Sequence, residues 1–596
     1  MITPPEPRYA PVDPAIARRL AGFLVPYRTR ILAAVGLLVV LAGIEVAQPW
    51  LIKIAIDRHV ATGDLTGLAG IAAIYLTLLL VEAVVGAART WITTEVGQRA
   101  MHDIRERLFD KLQRLPVGWF DRTPVGRMVT RVTSDVEVLN ELFSSGVVAL
   151  ISDVFMLTAI AVTMFVLDWR LALVTLAVVP LVALVSFVFR ARMRDAYREI
   201  RRRVAQLNAY LQERVTGLEV VQLFRREEES KAAFAEVNRS VRDAEQRSIF
   251  YYAVFYPLVE LLGALSVALL IWYGGGRILA GALTFGSLVA FLQYAQKFFR
   301  PIRDMAEKYN LLQSATAAGE RLLGLLDEPV PDSGVAVADR LPEPRGAIAF
   351  EDVWFRYEPD AWVLKGVSFE VPAGSKLALV GATGAGKSTI ASLLCRFYEP
   401  TEGRVLLDGV DVRAYPLPEL RERVGLVLQD VFLFSGSVRE NVALGSERID
   451  EAGIEGALAA IGADRFVDAL PSGLDTRVGE RGRSLSTGQK QLVAFARALA
   501  WDPPVLVFDE ATSSVDSESE ALIEEAVRRL MADRTSVVIA HRLSTIRRVD
   551  RILVLHHGEV REEGTHEELL AAGGIYARLY QLQYASEAGA TAGAAP

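Results

Sequence analysis

Long apolar stretches fill the first half of the chain, at residues 31–56, 66–92, 146–167, 170–189, 249–273 and 284–312. A helix of about 20 apolar residues spans the hydrocarbon core of a bilayer, which is about 30 Å thick. Each stretch therefore predicts one transmembrane helix. The third and fourth stretches are separated only by Asp168, Trp169 and Arg170, which predicts a tight turn at a membrane face. Residues 12–27 predict a short amphipathic helix that lies at the interface before the first span.

Basic residues are distributed unevenly among the segments that join these stretches. Segments 94–145 and 190–247 are rich in Arg and Lys, whereas the opposite connections hold only Arg58, Arg170 and Arg277. Basic loops are retained on the cytoplasmic side of a membrane. Both ends of the membrane part are therefore predicted to be cytoplasmic, which agrees with an even number of spans.

The two basic segments are long and helical in composition, with few Pro or Gly residues. Half of such a segment, folded as a helix, makes a rod about 40 Å long, which would carry its tip well below the membrane. The tips are predicted at 123–136 and 213–229, where Gly interrupts the pattern. Two interpretations remain open: each tip is a solvated helical hairpin, or it is a coupling helix that presses on a cytoplasmic domain.

The pattern changes after residue 326. A Pro- and acid-rich linker, Asp327 to Arg345, is followed from Ala347 onward by short β-branched runs that alternate with helical segments. This alternation is typical of an α/β domain with a largely parallel sheet. The final residues, 586–596, are of low complexity and are predicted to be disordered.

Composition supports this division. Hydrophobic residues make up 52% of the chain and charged residues still supply 23%, as expected for an apolar membrane part joined to a soluble part. The net charge of -7 argues against nucleic acid as a partner. Cys395 is the only cysteine, which excludes an intrachain disulfide and a multi-cysteine metal site. The Pro-rich segment 1–14 lacks the apolar core of a cleavable signal peptide.

The segment GATGAGKST, residues 381–389, matches the phosphate-binding P-loop pattern. It follows a strand-like run and precedes a helix-like run, as the motif requires. Its glycines allow backbone N–H groups to wrap the phosphates, and the helix N-terminus favours negative charge. Lys387 is predicted to neutralise the β- and γ-phosphates, and Ser388 to coordinate Mg²⁺. The candidate nucleotide-binding residues of this loop are Gly381, Thr383, Gly384, Ala385, Gly386, Lys387, Ser388 and Thr389.

A second motif, VLVFDE at residues 505–510, is a buried strand that ends in two acids. Asp509 is predicted to hold Mg²⁺, directly or through water. Glu510 is predicted to orient or deprotonate the attacking water, as the catalytic base. An apolar strand that ends in an acid is common as a purely structural feature, but the P-loop in the same domain favours the catalytic interpretation.

Residues 347–585 resemble the nucleotide-binding domain of the ATP-binding-cassette (ABC) family, and LSTGQ at 485–489 resembles its signature loop, usually LSGGQ. In this family each ATP lies between the P-loop of one domain and the signature loop of another. The resemblance therefore implies a dimer, with ATP and Mg²⁺ as cofactors. The signature residues implied to contact nucleotide are Ser486, Gly488 and Gln489.

The resemblance implies further roles at single positions. Tyr357 is expected to stack on adenine. Gln429 is expected to sense Mg²⁺, to take part in catalysis and to contact the membrane domain. Asp516 is expected in a loop that crosses to the partner, and His541 to act on the γ-phosphate as a catalytic residue. A lone His at a strand end is otherwise a packed or exposed residue, but its position 31 residues beyond Glu510 favours the γ-phosphate role.

The whole chain is similar to the exporter class of ABC half-transporters, which move drugs and lipids. The predicted fold class is multi-domain: an all-α domain of six transmembrane helices (type I exporter, or type IV ABC fold) joined to an α/β P-loop NTPase domain. The implied activity is ATP-driven export of a hydrophobic or amphiphilic drug, lipid or peptide across the cell (inner) membrane. The predicted domains are 1–27 (N-terminus and interfacial helix), 28–325 (transmembrane), 326–346 (linker), 347–585 (nucleotide-binding) and 586–596 (tail).

Two positions depart from the family pattern. Thr487 replaces a Gly of the signature, and Leu492 stands where Arg is usual, yet Glu510 is present. In asymmetric members of the family, one chain keeps the catalytic Glu while the signature that it lends to its partner has changed. The resemblance therefore favours a heterodimer with a second half-transporter over a homodimer.

Some polar side chains interrupt the apolar stretches, among them Glu45, Gln48, Glu82 and Glu260. Such groups are costly in lipid and are expected to face the bundle or a wet cavity, either as substrate contacts or as hydrogen bonds between helices. Alternatives to export also remain open. One is a fused importer of the siderophore type; the other is an ATP-gated channel or regulatory ATPase that moves nothing itself.

Overall fold

The computed structural model describes residues 13–330, 341–509, 517–540 and 543–582. The chain divides into two compact units: Met1–Gln113 with Val125–Glu328, and Arg114–Pro124 with Pro329–Pro596. This division does not test the predicted domain boundaries, which stay predictions. The predicted tail and residues 331–340 of the predicted linker lie outside the described residues.

Residues 13–330 are almost entirely helical. The helices are α1 (Pro14–Gly22), α2 (Arg28–Ile54), α3 (Leu65–Arg114), α4 (Val117–Arg122), α5 (Val125–Thr130), α6 (Val136–Glu141), α7 (Val147–Leu167), α8 (Trp169–Leu176), α9 (Val179–Thr216), α10 (Leu218–Leu223), α11 (Glu227–Leu279) and α12 (Phe285–Asp327). The predicted turn between the third and fourth spans is present, because Asp168 accepts hydrogen bonds from the backbone N–H of Arg170 and Leu171 and so caps α8.

In the described part of the chain, five helical segments are long and apolar enough to cross a membrane: Val25–Val60, Leu65–Arg114, Leu150–Leu167, Trp169–Thr216 and Glu227–Leu279. The sixth predicted stretch lies in α12, whose 43 residues include more polar side chains. Phe291 and Tyr294 of α12 are fully buried in a cluster with Ile160, Leu171 and Leu270. Because neighbouring helices shield α12 from lipid, this helix needs less apolar surface than the others.

Of the two predicted cytoplasmic tips, the sequence located the second correctly and the first wrongly. The second is α10, which lies within the predicted segment 213–229. The prediction of 123–136 for the first tip is wrong, because α3 ends at Arg114 and α4 with its flanking residues belongs to the second unit. Prolines on either side of α4, Pro116 and Pro124, explain the earlier reversal, because a residue that precedes Pro avoids helical geometry.

The second unit is an α/β domain. Its strands are β1 (Ile348–Glu358), β2 (Ala361–Val371), β3 (Lys376–Val380), β4 (Glu402–Leu407), β5 (Val410–Asp411), β6 (Val424–Val427), β7 (Gly436–Ser437), β8 (Arg477–Val478), β9 (Val505–Asp509), β10 (Thr535–Ile539), β11 (Arg551–His556) and β12 (Glu559–Gly564). Its further helices are α13 (Lys387–Leu394), α14 (Leu417–Arg423), α15 (Val438–Ala443), α16 (Glu451–Ala460), α17 (Asp464–Asp468), α18 (Thr487–Ala500), α19 (Ser517–Leu530), α20 (Leu543–Ile546) and α21 (His566–Ala571).

The main sheet of this unit has the strand order β12-β11-β3-β10-β9-β6 and is parallel except for β12. An antiparallel sheet, β2-β1-β4-β5, lies beside it. Alternate residues of β3 enter opposite cores: Leu377 and Leu379 pack with Phe350 of the antiparallel sheet, and Ala378 packs with the cluster that contains Val493 of α18. Both faces of the parallel sheet are therefore covered, and loops at the carboxyl ends of its strands can form a site.

Candidate functional site

The P-loop connects the end of β3 to the start of α13. Its shape depends on glycine at two positions. A Cβ at Gly381 would lie 2.3 Å from the carbonyl oxygen of Leu555. Gly386 has a φ of +102°, and a Cβ there would lie 2.6 Å from the Leu364 side chain. Any larger residue would force the loop away from the core that supports it.

Lys387 is the first residue of α13, and its side chain folds back into the loop. It is 7% exposed, and its Nζ donates to the carbonyl oxygens of Gly381 (2.8 Å) and Ala382 (3.1 Å). Burial lowers the pKa of Lys387, while the negative charge of Asp509 opposes that change. The Lys387 ammonium is therefore buried and held by neutral oxygens, at the N-terminus of a helix capped by Gly386. This arrangement fits a polyanion such as the phosphates of ATP.

Ser388 and Asp509 lie together at the end of the parallel sheet. The Ser388 hydroxyl donates to Oδ2 of Asp509 at 3.3 Å. Hydroxyl and carboxylate oxygens are ligands that Mg²⁺ prefers, so these two predicted ligands fit the ion. Gln429, the third predicted ligand, is exposed just after β6. Because β6 pairs with β9 in parallel, Gln429 is placed at the same edge of the sheet as Asp509.

Tyr357, the predicted adenine contact, lies near the end of β1. Its side chain is 38% exposed, so part of the ring is accessible to a base. Its hydroxyl lies 3.2 Å from the Thr389 hydroxyl of the P-loop helix. The ring of Tyr398 packs edge-on against it, with centroids 5.0 Å apart. The predicted base contact is therefore joined directly to the P-loop helix by this hydroxyl contact.

Helix α4 lies next to this pair of tyrosines, within the second unit. The Tyr398 hydroxyl donates to Asp121, and Arg122 donates to the carbonyl oxygen of Tyr357 at 3.1 Å. Burial, together with the hydrogen bond to Asp121, raises the pKa of Tyr398. A cavity of about 370 Å³ lies there, lined by Val117, Asp121, Arg122, Tyr357, Glu358, Ser392, Phe397 and Tyr398.

The signature loop forms the start of α18. Ser486 accepts from the backbone N–H of Gln489 at 3.2 Å, and the Gln489 side chain accepts from the backbone N–H of Ser486 at 3.0 Å. This reciprocal pair fixes the first turn of the helix. Ser486 and Thr487 are exposed and Gly488 is buried. The exposed Ser486 and Thr487 are available to a ligand outside the chain.

Three predicted site residues, Glu510, Asp516 and His541, lie outside the described residues. The strands that precede two of them end side by side, since Ile539 of β10 pairs with Asp509 of β9. The roles assigned to these residues, and to the other predicted site residues, stay predictions.

The sequence analysis missed two residues that position the loop after Gln429. Asn441 is 1% exposed; its side chain accepts from the N–H of Phe434 at 2.8 Å and donates to the Phe434 carbonyl at 2.9 Å. Arg497 of α18 donates to the Asn441 carbonyl at 2.8 Å. The sequence did contain a signal, because Ser437 and Glu440 form a capping box that starts α15 and so places Asn441 in its first turns.

Comparisons with known proteins agree with this geometry. Residues 31–302 match the family described as ABC transporter transmembrane region, and residues 364–513 match the family described as ABC transporter. The chain belongs to the ABC transporter family.

The relatives match most of the chain. It is 38% identical to the ATP-dependent lipid A-core flippase of Chromohalobacter salexigens, over 96% of this chain and 98% of the relative. It is 39% identical to a fatty acid ABC transporter ATP-binding/permease protein of Mycobacterium bovis, over 85% and 80% respectively. The solved structure of a bacterial Atm1-family ABC exporter with ATP bound matches with a TM-score of 0.78 and 31% identity, over 94% of this chain and 98% of that one.

These matches confirm the predicted fold class, a helical transmembrane domain of the type IV exporter fold joined to an α/β ATP-binding domain. The chain is therefore a multi-pass membrane protein with a cytoplasmic nucleotide-binding domain, and an ABC exporter with the activity of an ATPase coupled to translocation.

Proposed function

We propose that this exporter moves a hydrophobic or amphiphilic drug, lipid or peptide out across the membrane as a dimer, hydrolysing ATP where two nucleotide-binding domains meet. The contact between Ser388 and Asp509, 3.3 Å apart beside the P-loop, is the observation that carries the ATPase part of the proposal. Two of its relatives are named for lipid A-core and for fatty acid. Both are lipids, which supports an amphiphilic substrate for this chain.

Each residue has a distinct task in the proposed hydrolysis. Lys387 turns from the loop carbonyls to the phosphates, and Tyr357 stacks on the base. Ser388, Asp509 and Gln429 would hold Mg²⁺, which would supply positive charge to offset that of the phosphates. Glu510 orients or deprotonates the attacking water, and His541 contacts the γ-phosphate.

We further propose that the partner is a different half-transporter. Thr487 supports this, because it places an exposed side chain on the first turn of α18 where the family pattern has Gly. A partner's nucleotide would meet that extra side chain. Leu492 adds little support, because it is 2% exposed and packs in the core of the domain; local packing is enough to explain the replacement of Arg there.

The role of Glu510 is tested with Glu510→Gln in protein purified together with its partner half-transporter and in inside-out vesicles that contain both. The variant should bind ATP as the wild type does and hydrolyse it at least about 100-fold more slowly, because the water loses its base. Glu524→Gln, a half-buried position on α19, is the matched control and should retain wild-type hydrolysis. Turnover that survives Glu510→Gln would exclude the role given to Glu510.

The same vesicles test the direction of transport. Export predicts ATP-dependent accumulation of substrate inside inside-out vesicles, against its gradient. Loss of substrate from the lumen would support an importer instead. Flux that only follows the gradient would support a channel.

A further inference from the structure

The segment that carries Gln429 is anchored at both of its ends. On the upstream side, Val427 is the last residue of β6 and pairs with Phe508 of β9. On the downstream side, both backbone groups of Phe434 are bonded to the side chain of Asn441, at 2.8 and 2.9 Å. Gln429 therefore lies on a short exposed connection whose course depends on two fixed points.

The downstream anchor is held by helix α18. Arg497, in the last turn of α18, donates from Nε to the Asn441 carbonyl at 2.8 Å and from both Nη atoms to the Phe432 carbonyl at 3.4 Å. Burial lowers the pKa of Arg497, so it is costly to place a cation here. An apolar side chain would avoid that cost, whereas the planar guanidinium holds two carbonyls at once. These contacts tie the loop after Gln429 to α18.

Helix α18 also carries the signature turn. Ser486 caps its first turn, and Arg497 lies 11 residues further on, a rise of about 17 Å. The helix is continuous over this distance, and Leu492 and Val493 pack in the core of the domain. A displacement of Ser486 along the helix axis is therefore transmitted to Arg497.

A second contact joins the same loop to the chain just before the signature turn. Leu433 is fully buried. Gly482 has a φ of +68°, and a Cβ there would lie 2.9 Å from the Leu433 side chain. The strands β7 and β8, in which Gly436 pairs with Val478, connect the two chain segments again. The loop after Gln429 and the signature turn thus belong to one packed body.

We propose that Arg497 and Asn441 are positioning residues through which the two nucleotide sites of the dimer act on each other. In the proposed dimer, Ser486 meets the nucleotide of the partner, whereas Gln429 serves the nucleotide of its own chain. The N-terminus of α18 attracts phosphate, so engagement of Ser486 draws the helix toward the partner, and Arg497 carries that movement to the loop of Gln429. Hydrolysis at one site then depends on occupancy of the other, and such a coupling is reciprocal in binding. The proposal rests on the proposed function and adds a regulation of its site.

Amide hydrogen exchange, followed by mass spectrometry, tests this link without hydrolysis. The chain is purified with its partner half-transporter, and exchange of residues 428–437 is compared with and without AMP-PNP and Mg²⁺. In the wild type the nucleotide should slow exchange in this segment by at least about 5-fold. Arg497→Met keeps an apolar stem of similar length but removes the hydrogen bonds, so the slowing should be lost. Ser486→Asp keeps the helix cap but repels phosphate, and the slowing should be lost there too, although Arg497 is intact.

Steady-state ATPase rates separate a positioning role from a merely structural one. Arg497→Met should lower kcat by about 10-fold and leave the KM for ATP nearly unchanged, because the P-loop and Tyr357 are untouched. Arg497→Lys, which keeps the charge but loses the fork, should recover part of kcat. When Gln429→Ala is already present, the addition of Arg497→Met should slow hydrolysis no further, because Arg497 acts through Gln429.

Arg439→Gln is the matched control. Arg439 lies on α15, as Asn441 does, and it pairs with Asp475 and Glu451. Its loss weakens the same helix without removing a contact to the loop after Gln429. This variant should retain both the nucleotide-dependent slowing of exchange and the wild-type kcat.

The outcomes separate this link from the proposed function. A wild-type complex that does not hydrolyse ATP would overturn the export function. An active wild-type complex in which AMP-PNP does not slow exchange, or slows it equally in Ser486→Asp, would overturn the link alone. Wild-type slowing in Arg497→Met, or a further loss of rate when it is combined with Gln429→Ala, would also overturn the link. If Arg497→Met does not fold, Ser486→Asp still decides, because its helix cap is kept.

Discussion

Ser486 has two roles at the scale of a single residue. Its hydroxyl caps α18 by accepting from the N–H of Gln489, and it is exposed. In the proposed dimer it also faces the phosphates bound by the partner. A substitution can separate the two roles, because Asp caps a helix as well as Ser does and its charge suits a helix N-terminus.

Ser486→Asp should therefore leave the melting temperature without nucleotide unchanged and lower the ATPase rate by about 10-fold or more, because like charges meet at the phosphates. Ser486→Ala should lower the melting temperature, because it loses the cap at a cost of about 1 kcal/mol. It should lower the ATPase rate less than Ser486→Asp does, because it adds no charge. Thermal melts and steady-state ATPase rates measure both effects. A fully active Ser486→Asp would mean that Ser486 does not face a phosphate.

Local structure was predictable where a motif is local, as in the strand–loop–helix arrangement around the P-loop. The P-loop geometry depends on neighbours such as Gly386 and Lys387, and their spacing is visible in the sequence. Contacts between distant positions were not predictable. Arg321 forms a bidentate ion pair with the buried Asp135, and Lys297 donates to the backbone carbonyl of Glu45 at 3.0 Å. Neither partner has a pattern that names the other, because the pairing depends on how helices pack.

At the scale of elements, the position of α4 depends on small size at one residue. A Cβ at Gly118 would lie 2.6 Å from the Tyr398 ring, whereas a Cβ at Gly126 on α5 would meet nothing within 4 Å. Tyr398 in turn packs on Tyr357. A change at Gly118 should therefore reach the predicted adenine site.

Gly118→Ala should raise the KM for ATP by about 3- to 10-fold, equivalent to about 1 kcal/mol of lost binding, because the displaced Tyr398 ring disturbs Tyr357. Gly126→Ala should leave it unchanged. ATPase rates measured over a range of ATP concentrations check both variants. An unchanged KM in Gly118→Ala, with the protein still folded, would show that α4 and the base contact are independent.

Helices α10, α4 and α12 show which elements could be predicted from the sequence pattern and which could not. Helix α10 was located correctly because Gly217 interrupts a long helical segment. The first tip was misplaced because Gly126 gave a similar signal, while Pro116 and the contacts of α4 with Tyr398 decided the reversal. Helix α12 was predicted as a span although it carries more polar residues than the other spans. Neighbouring helices bury one face of α12, so fewer apolar residues have to face lipid.

At the scale of the whole molecule, the proposed heterodimer makes the chain alone incomplete. The purified chain, free of any partner, should fail to form a stable dimer and should show at most a small fraction of transport-coupled ATPase activity. Size-exclusion chromatography with light scattering, together with transport assays in liposomes, measures both. A stable dimer of identical chains with full coupled activity would contradict the heterodimer and leave the export function intact.

The length of the bundle helices has a mechanical consequence. Helix α11 has 53 residues, which makes it about 80 Å long, and α9 runs beside it, with Tyr197 and Tyr252 joined by a hydrogen bond of 2.6 Å. A rigid pair of helices of this length converts a small rotation into a large displacement at its ends. A tilt of about 5° displaces one end by about 7 Å relative to the other. A small rotation of this pair of helices therefore becomes a displacement of several ångströms between its ends.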